Sequence, residues 1–357
     1  MRNIIKQYLS KVAQNITPYQ WEEEFSEKML RFDTNTLPFP PPSLKLFLQE
    51  MESNCPINEY TDPSYKRLKK LIADYEDVSE DMVTVTNSGD EAIDVLAKTF
   101  LDPGDYFITT PPAYEMFSIQ CGINKGRNLQ VPLIGKNFTV DEKRIIEESK
   151  KHRVKIIFLV NPNNPTASII SQRSIEKIIK NSDAVVVVDE VYREFYGKTA
   201  VPLLKKYENL VILRSFSKFA AMAGARIGYL VANPFLSKKF DAVRFPMGVS
   251  FLSYKLAEFV LEKDREWIKK QVQMIITERK RLTKGLISLG LSVYPSYANF
   301  LLVKIGEKAS NIYKRLKEKG IIIRDRSNKK YLEGCVRITV RSPRENNLLL
   351  KTLKEIL

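Results

Sequence analysis

Three short apolar runs in the middle of the chain constrain its fold more than any other feature. Ile156–Val160, Val185–Val188 and Leu210–Leu213 are rich in β-branched residues and carry no polar side chain. Strands of this kind occur in parallel sheets that helices cover on both faces. Each run ends at polar residues, and open α/β sheets bind ligands at the carboxyl ends of their parallel strands. The sequence therefore predicts a buried, mostly parallel sheet with a ligand site along one edge.

Strand and helix patterns alternate from Met82 onward, as they do in α/β folds. We predict seven strands near residues 83–86, 105–109, 128–132, 155–160, 184–188, 210–214 and 227–231. Helices are predicted near residues 90–100, 115–122, 141–150 and 171–180. This alternation predicts a sheet that lies between two layers of helices.

Three regions follow from the same patterns. Residues 1–34 are predicted to form an amphipathic arm that is too small to be stable alone and must pack on something else. Residues 35–247 are predicted to form a large domain around the sheet. Residues 248–357 begin with a long helical stretch and continue with short strands near 291–294, 299–304, 321–324 and 335–340, which indicates a smaller α+β domain.

Lys218 follows the third apolar run and lies among serines, small residues and Arg226. A lysine that is shielded from water beside another cation has a lowered pKa, and its free amine can attack a carbonyl. Serine hydroxyls and an arginine can bind a phosphate. This combination suits a Schiff-base lysine that holds pyridoxal phosphate (PLP). Lysines are abundant in the chain, however, and this pattern also arises by chance.

Ser88 and Gly89 follow the first predicted strand and open a helix. Free amides at a helix N-terminus can cradle a phosphate, but the same residues also suit an ordinary helix cap. Both interpretations remain open from the sequence alone.

Composition excludes several other kinds of site. One histidine, His152, rules out catalytic triads and metal centres with several imidazoles, and three widely spaced cysteines fit neither a disulfide framework nor a zinc site. The net charge of +15 raises the alternative of a nucleic-acid partner, but the basic residues are interleaved with acids on helix-like stretches. No apolar run is long enough to span a membrane or form a signal peptide, so we expect a cytoplasmic protein that binds neither membrane nor nucleic acid.

Motifs along almost the whole chain resemble one enzyme family. NPNNPT at 161–166, DEVY at 189–192 and SFSK at 215–218, followed by AGAR, are similar to the class I/II PLP aminotransferases of fold type I. Within them, further segments resemble the histidinol-phosphate aminotransferases: NITPYQ at 15–20, YTDP at 60–63, SGDEAID at 88–94, PAYEMF at 112–117, GIIIRD at 320–325 and GCVRITV at 334–340.

The resemblance implies a homodimer that uses PLP to exchange an amino group between histidinol phosphate and glutamate in histidine biosynthesis. It implies that Lys218 is the Schiff-base lysine and proton carrier, that Asp189 pairs with the pyridine nitrogen, and that Asn164 and Tyr192 bind the ring hydroxyl. The other residues implied at the cofactor are Tyr114 on the ring and, at the phosphate, Ser88, Gly89, Asp90, Ser215, Ser217, Arg226 and Tyr60 of the neighbouring subunit. Those implied at the substrate are Tyr19, Asn35, Asn299, Arg324 and Arg337, with no metal.

Departures from the family pattern concern specificity more than chemistry. Ala167 stands where the family usually has a glycine after NPNNPT. Thr36-Leu37 stands where the family's N-E-N-P segment has Glu-Asn. Arg341-Ser342 replaces small residues near the substrate end, where Arg341 adds a cation. An aromatic or broad-specificity aminotransferase and a threonine-phosphate decarboxylase of the same fold therefore remain alternatives.

Overall fold

A computed structural model describes residues 8–16 and 29–357 of the chain. Near the N-terminus, helix α1 (Lys11–Asn15) is capped by the Ser10 hydroxyl, which accepts a hydrogen bond from the amide of Ala13. Most of the predicted arm, including Tyr19, lies outside the described residues. Strand β1 (Leu30–Arg31) is followed by helices α2 (Ser43–Ser53) and α3 (Lys66–Glu76).

A seven-stranded sheet forms the centre of the fold. Its strands are β2 (Val83–Thr86), β3 (Tyr106–Thr109), β4 (Arg127–Gln130), β5 (Ile156–Val160), β6 (Val185–Asp189), β7 (Leu210–Ser215) and β8 (Gly228–Ala232). Their order across the sheet is β2-β8-β7-β6-β5-β3-β4, and only β8 runs antiparallel to its neighbours. The prediction of a mostly parallel sheet is confirmed.

Alternate side chains of the central strands enter two different hydrophobic cores. Val186, Val188 and Ile212 point to one face of the sheet, and Val187 and Val211 point to the other. Packing on both faces explains why the Val185–Val188 and Leu210–Leu213 runs in these strands are entirely apolar. The covering helices are α4 (Ser88–Phe100), α5 (Met116–Ile123), α6 (Glu142–Lys151), α7 (Gln172–Asn181), α10 (Pro234–Val243) and α11 (Phe251–Lys263), with the short α8 (Arg193–Tyr196) and α9 (Phe216–Phe219) at strand ends.

The C-terminal part is built around a second sheet. Helix α12 (Arg265–Ser288) leads into β9 (Ser292–Val293), β10 (Phe300–Lys304), α13 (Ala309–Glu318), β11 (Ile321–Ile322), β12 (Arg324–Asp325), β13 (Cys335–Thr339) and α14 (Pro343–Ile356). The order β12-β13-β10-β9 is antiparallel throughout, and α12, α13 and α14 contribute to its core.

Two local features differ from the sequence prediction. The predicted strand at 321–324 is divided, because β11 pairs with β1 whereas β12 pairs with β13. The β1 pairing and the burial of Phe32 and Leu37 in the C-terminal core tie residues 30–37 to the same chain's C-terminal part. The domain boundaries at 34 and 247 stay predictions.

Candidate active site

The predicted catalytic and cofactor-binding residues at the carboxyl ends of three parallel strands lie at one edge of the sheet. Val160 lies beside Asp189 in the register of β5 and β6, and Asp189 lies beside Leu213 of β7. The Asn161–Thr166 loop, Asp189 and the Ser215–Lys218 segment therefore leave the sheet at the same level. This arrangement follows from parallel pairing and agrees with the ligand edge expected of such sheets.

Lys218 lies in the short helix α9 and directs its amine toward the N-terminal segment. Its Nζ donates a hydrogen bond to the carbonyl oxygen of Thr34 over 2.9 Å. Desolvation, followed by the charges of Arg337 and Arg226, lowers the pKa of Lys218 to about 7. At neutral pH a substantial fraction of this lysine is thus an uncharged nucleophile.

Asp189 ends β6 and is almost fully buried. Burial, together with the nearby charges of Glu190 and Asp90, raises the pKa of Asp189 to about 7. The carboxylate also accepts a hydrogen bond of 3.0 Å from the amide of Val191, which acts in the opposite direction. A cationic ring nitrogen placed against this carboxylate would restore its charged form.

Small and hydroxylated residues form a cradle between α4 and α9. The Ser215 and Ser217 hydroxyls are 2.9 Å apart, and a Cβ added to Gly89 would lie only 4.0 Å from that of Ser215. Arg226 donates to Asp90 over 2.8 Å, and Asp90 also accepts a hydrogen bond of 2.8 Å from the Tyr114 hydroxyl. Serine hydroxyls, a helix N-terminus and an arginine are a donor set suited to a phosphate.

Gly228 brings strand β8 into close contact with this cradle. A Cβ on Gly228 would lie 2.7 Å from the amide nitrogen of Gly89, which is closer than real Cβ atoms approach. Sequence reasoning did not identify this residue, although small residues near Arg226 were the available signal. The glycine allows the turn at Ser88, which has a φ of 77°, to lie directly on the sheet.

The predicted substrate residues converge from both parts of the chain. Arg337, almost fully buried, donates to Asn164 Oδ1 over 2.7 Å and also donates to the carbonyl oxygen of Asp33. Its Nε is buried without a hydrogen-bond partner. Burial and the neighbouring Arg326 lower the pKa of Arg337 to about 10. A guanidinium held beside Asn164, with one donor that has no hydrogen-bond partner, is suited to an anionic group.

Buried polar contacts link the remaining predicted residues. Asn35 donates to the Tyr192 hydroxyl over 3.0 Å, and Asn299 donates to the carbonyl oxygen of Asn35 over 2.9 Å. Burial raises the pKa of Tyr192 to about 12, so its phenol stays protonated and can donate a hydrogen bond. Arg324 lies directly opposite Arg337 in the register of β12 and β13.

One predicted residue, Tyr60, does not join this cluster within one chain. Tyr60 is 89% exposed, so within one chain it does not reach the cradle. Tyr19 lies outside the described residues. Arg341 forms a 2.7 Å ion pair with Glu345 at the start of α14, which offsets the charge that this arginine adds. Ala167 has a φ of 57°, a left-handed conformation that explains why glycine suits this position.

A buried ionic network behind the sheet escaped the sequence analysis. Arg214 is fully buried, and its guanidinium lies 3.0 Å from Glu76 and 3.1 Å from Glu190. Tyr229 also donates to Glu76 over 2.6 Å. Burial alone would lower the pKa of Arg214, but Glu76 and Glu190 raise it above its ordinary value. Glu190 follows Asp189 directly, so this network supports the strand end that carries the site.

Solved structures with the same fold define the class of this chain. It matches a histidinol-phosphate aminotransferase from Sinorhizobium meliloti, solved in complex with pyridoxal-5'-phosphate, at a TM-score of 0.84 and 26% identity over 92% of this chain and 90% of that one. It also matches an L-threonine-O-3-phosphate decarboxylase from Porphyromonas gingivalis at a TM-score of 0.76 and 25% identity. This match covers 92% of this chain and 99% of that one. The architecture is that of the fold type I PLP-dependent enzymes.

Sequence comparison narrows this class to a family. The family model for aminotransferase class I and II matches residues 27–353. A histidinol-phosphate aminotransferase from Caldanaerobacter subterraneus subsp. tengcongensis is 36% identical over 100% of this chain and 98% of its own length. The chain therefore belongs to the class I and II aminotransferase family.

Proposed function

We propose that this chain transfers an amino group between histidinol phosphate and 2-oxoglutarate, with PLP bound at Lys218. The observation that carries the proposal is the meeting of Lys218, Asp189 and the serine cradle at one edge of the sheet. The relatives named histidinol-phosphate aminotransferase support the choice of substrate.

The described residues fit PLP in three separate ways. Lys218 offers an amine that is partly neutral at pH 7, and Asp189 offers a buried carboxylate suited to a protonated ring nitrogen. Ser215, Ser217 and Arg226 offer donors for the phosphate. Bound PLP supplies an electron-withdrawing ring that stabilises negative charge on the substrate carbon.

The protein's own residues would then orient the substrate and move its proton. Asp189 would hold the proton on the ring nitrogen, while Asn164 and Tyr192 would bind the ring hydroxyl oxygen. Lys218 Nζ would act as the base that takes the proton from the amino-bearing carbon of the substrate, and then as the acid that gives the proton back to complete the transfer. Tyr114 would cover the ring, and its 2.8 Å hydrogen bond to Asp90 fixes the orientation of the phenol.

Two arginines are proposed to distinguish the two substrates. Arg337 would clamp the carboxylate of glutamate bidentately, and Arg324 would bind the phosphate of histidinol phosphate. Their opposite positions in one sheet register support a shared pocket for both. Asn35 and Asn299 shape this end, and Tyr19 stays a prediction.

A homodimer is proposed for the assembly. Tyr60 is 89% exposed, and Leu46, Leu48, Phe245 and Met247 are large apolar side chains exposed to solvent. We propose that a second copy covers these side chains and that Tyr60 reaches the phosphate cradle of that copy. In the part of the chain that the structure describes, no helix is long and apolar enough to cross a membrane. A cytoplasmic location stays a prediction.

A decarboxylase is the second candidate, because one solved structure of the same fold is named an L-threonine-O-3-phosphate decarboxylase. Incubation of the PLP-loaded protein with glutamate separates the two. We expect 2-oxoglutarate to form in amounts equal to the enzyme, with loss of the visible absorption of the lysine-bound cofactor. Absence of 2-oxoglutarate, together with carbon dioxide release from threonine phosphate, would favour the decarboxylase.

A further inference from the structure

Residues 31–35 form a short segment that runs from the C-terminal part of the fold to the candidate active site. The segment begins in β1, which pairs with β11 over two residues. The carbonyl oxygen of Phe32 accepts a hydrogen bond of 2.7 Å from the amide of Thr339, and the amide of Asn35 donates to the Thr339 hydroxyl over 2.9 Å. The segment therefore lies along the end of β13.

Two carbonyl groups within this segment bind side chains of the candidate site. The carbonyl oxygen of Thr34 accepts a hydrogen bond of 2.9 Å from Lys218, and that of Asp33 accepts one from Arg337. Because Asp33 and Thr34 are consecutive, a displacement of the segment moves both carbonyl oxygens together. The position of residues 31–35 thus affects the Schiff-base lysine and the substrate arginine at the same time.

Arg341 holds the start of this segment. Its Nη1 donates to the carbonyl oxygen of Arg31 over 3.1 Å, and its guanidinium carbon lies 5.9 Å from the centroid of the Phe32 ring. A hydrogen bond from a charged donor is stronger than a neutral one. Since a strand pair of two residues supplies few backbone hydrogen bonds, this charged contact adds appreciably to the anchoring of residues 31–35.

The start of α14 fixes the direction of the Arg341 side chain. Arg341 Nε donates to Glu345 Oε1 over 2.9 Å. The backbone of Arg341 is held as well, because its amide donates to Asn346 Oδ1 over 3.0 Å and its carbonyl oxygen accepts from Asn346 over 2.7 Å. A side chain that is fixed in this way loses little further rotamer freedom when it binds a carbonyl oxygen.

We propose that Arg341 is a positioning residue for Lys218 and Arg337, on which it acts through residues 31–35. The inference rests on the proposed function and deepens it. It gives a role to a residue at which the sequence departs from the family pattern of small residues. The cation at this position is used to hold backbone beside the site, and its own charge is offset by Glu345.

The test compares variants that separate the contact with Arg31 from the contact with α14. Arg341→Met keeps the apolar part of the side chain but removes its donors, and Arg341→Lys keeps one cationic donor group. Arg344→Met removes an equal charge from an exposed position on the same helix, and Glu345→Gln removes the ion pair but leaves Arg341 in place.

Two properties of the apoprotein are measured. The first is the rate at which it captures PLP at a fixed pH, followed by visible absorption. The second is the amide hydrogen exchange of residues 30–35 and of α14, followed by mass spectrometry.

We expect Arg341→Met to slow PLP capture about threefold to tenfold, as expected for loss of one hydrogen bond. Exchange at residues 30–35 should accelerate by a similar factor, whereas α14 should keep its protection because Ser342 and Glu345 still form the capping box. Arg341→Lys should recover part of both effects, since its ammonium can still donate to the Arg31 carbonyl oxygen. Arg344→Met and Glu345→Gln should stay within about twofold of the unmodified protein in capture and in exchange at residues 30–35.

The outcomes separate the role of Arg341 from the proposed function. A native rate of capture in Arg341→Met overturns the role of Arg341 while the proposed function stands. Equal losses in Arg341→Met and Glu345→Gln also overturn it, because they show that Arg341 acts through the start of α14. If the unmodified protein captures no PLP, or if Lys218→Ala captures it equally well, the proposed function fails. Should Arg341→Met not fold, Arg341→Ala takes its place with the same expected slowing, since small residues are usual at this position in the family.

Discussion

At the scale of the residue, the account depends on the protonation of Lys218. Its folded-state pKa of about 7 means that the neutral amine, the form that attacks PLP, predominates above that pH. The rate at which the apoprotein captures PLP, followed by visible absorption, should rise as pH increases through about 7 and level off above it. Lys218→Ala should show no capture at any pH, and a rise centred near the ordinary lysine pKa would contradict the assignment.

Arg324 and Arg337 yield a second prediction at this scale. Lysine keeps the charge but loses the bidentate geometry. Arg324→Lys should therefore weaken the binding of histidinol phosphate far more than the binding of glutamate. Arg337→Lys should weaken the binding of glutamate at least as much as the binding of histidinol phosphate. Steady-state kinetics with both substrates checks the pair, and identical profiles for the two variants would show that the roles are wrongly divided.

The sequence could predict the residues at strand ends but not those that reach the site from elsewhere. Lys218 and Asp189 follow apolar runs whose burial is visible in the composition of the runs themselves. Thr34, whose carbonyl oxygen accepts a hydrogen bond from Lys218, lies 184 residues earlier in the chain, and no local pattern reveals this contact. Gly228 is important because of a contact with Gly89, which is distant in sequence.

At the scale of the element, β7 joins the active site to the buried ionic network. Arg214→Met would leave Glu76 and Glu190 buried without their main cation, so we expect the free energy of unfolding to fall by about 3–5 kcal/mol. Urea unfolding measures this change.

Arg67→Met is the matched control, because Arg67 pairs with Glu262 at the surface and the expected change is within about 1 kcal/mol. Adding Glu76→Gln to Arg214→Met should recover part of the loss, since one uncompensated charge is removed. Equal effects of Arg214→Met and Arg67→Met would contradict the importance of the network.

Strand composition predicted β7 but not this network. Alternation along the strand places Arg214 on the face opposite Leu213 and Ser215, where a charge is unexpected. Its partner Glu76 lies 138 residues earlier, at the end of α3. Only the packing of α3 against the sheet brings the two together.

At the scale of the whole molecule, a homodimer would complete each site with Tyr60 of the other subunit. Tyr60→Phe should weaken PLP binding about tenfold, the effect of losing one hydrogen bond to a charged group. Hybrids of Tyr60→Phe and Lys218→Ala subunits would contain one site with both native residues. PLP titration of such hybrids should recover native affinity in half of the sites, and failure to recover it would exclude a role for Tyr60 across the interface.

Most of the architecture could be predicted because both sheets bury apolar strands of regular spacing. The seven strands of the large sheet lie within one or two residues of their predicted positions. The division of residues 321–325 between two sheets could not be predicted, because it depends on pairing of Leu30–Arg31 with Ile321–Ile322. Such pairing between the two ends of a chain has no local signature.

The most direct test of the central claim is the turnover of histidinol phosphate by the unmodified, PLP-loaded enzyme with 2-oxoglutarate as the acceptor. The value of kcat/KM is compared with that for phenylalanine under the same conditions. Our account predicts that histidinol phosphate is preferred, because Arg324 is proposed to bind its phosphate. A higher kcat/KM for phenylalanine would contradict the proposed substrate and indicate an aromatic aminotransferase instead.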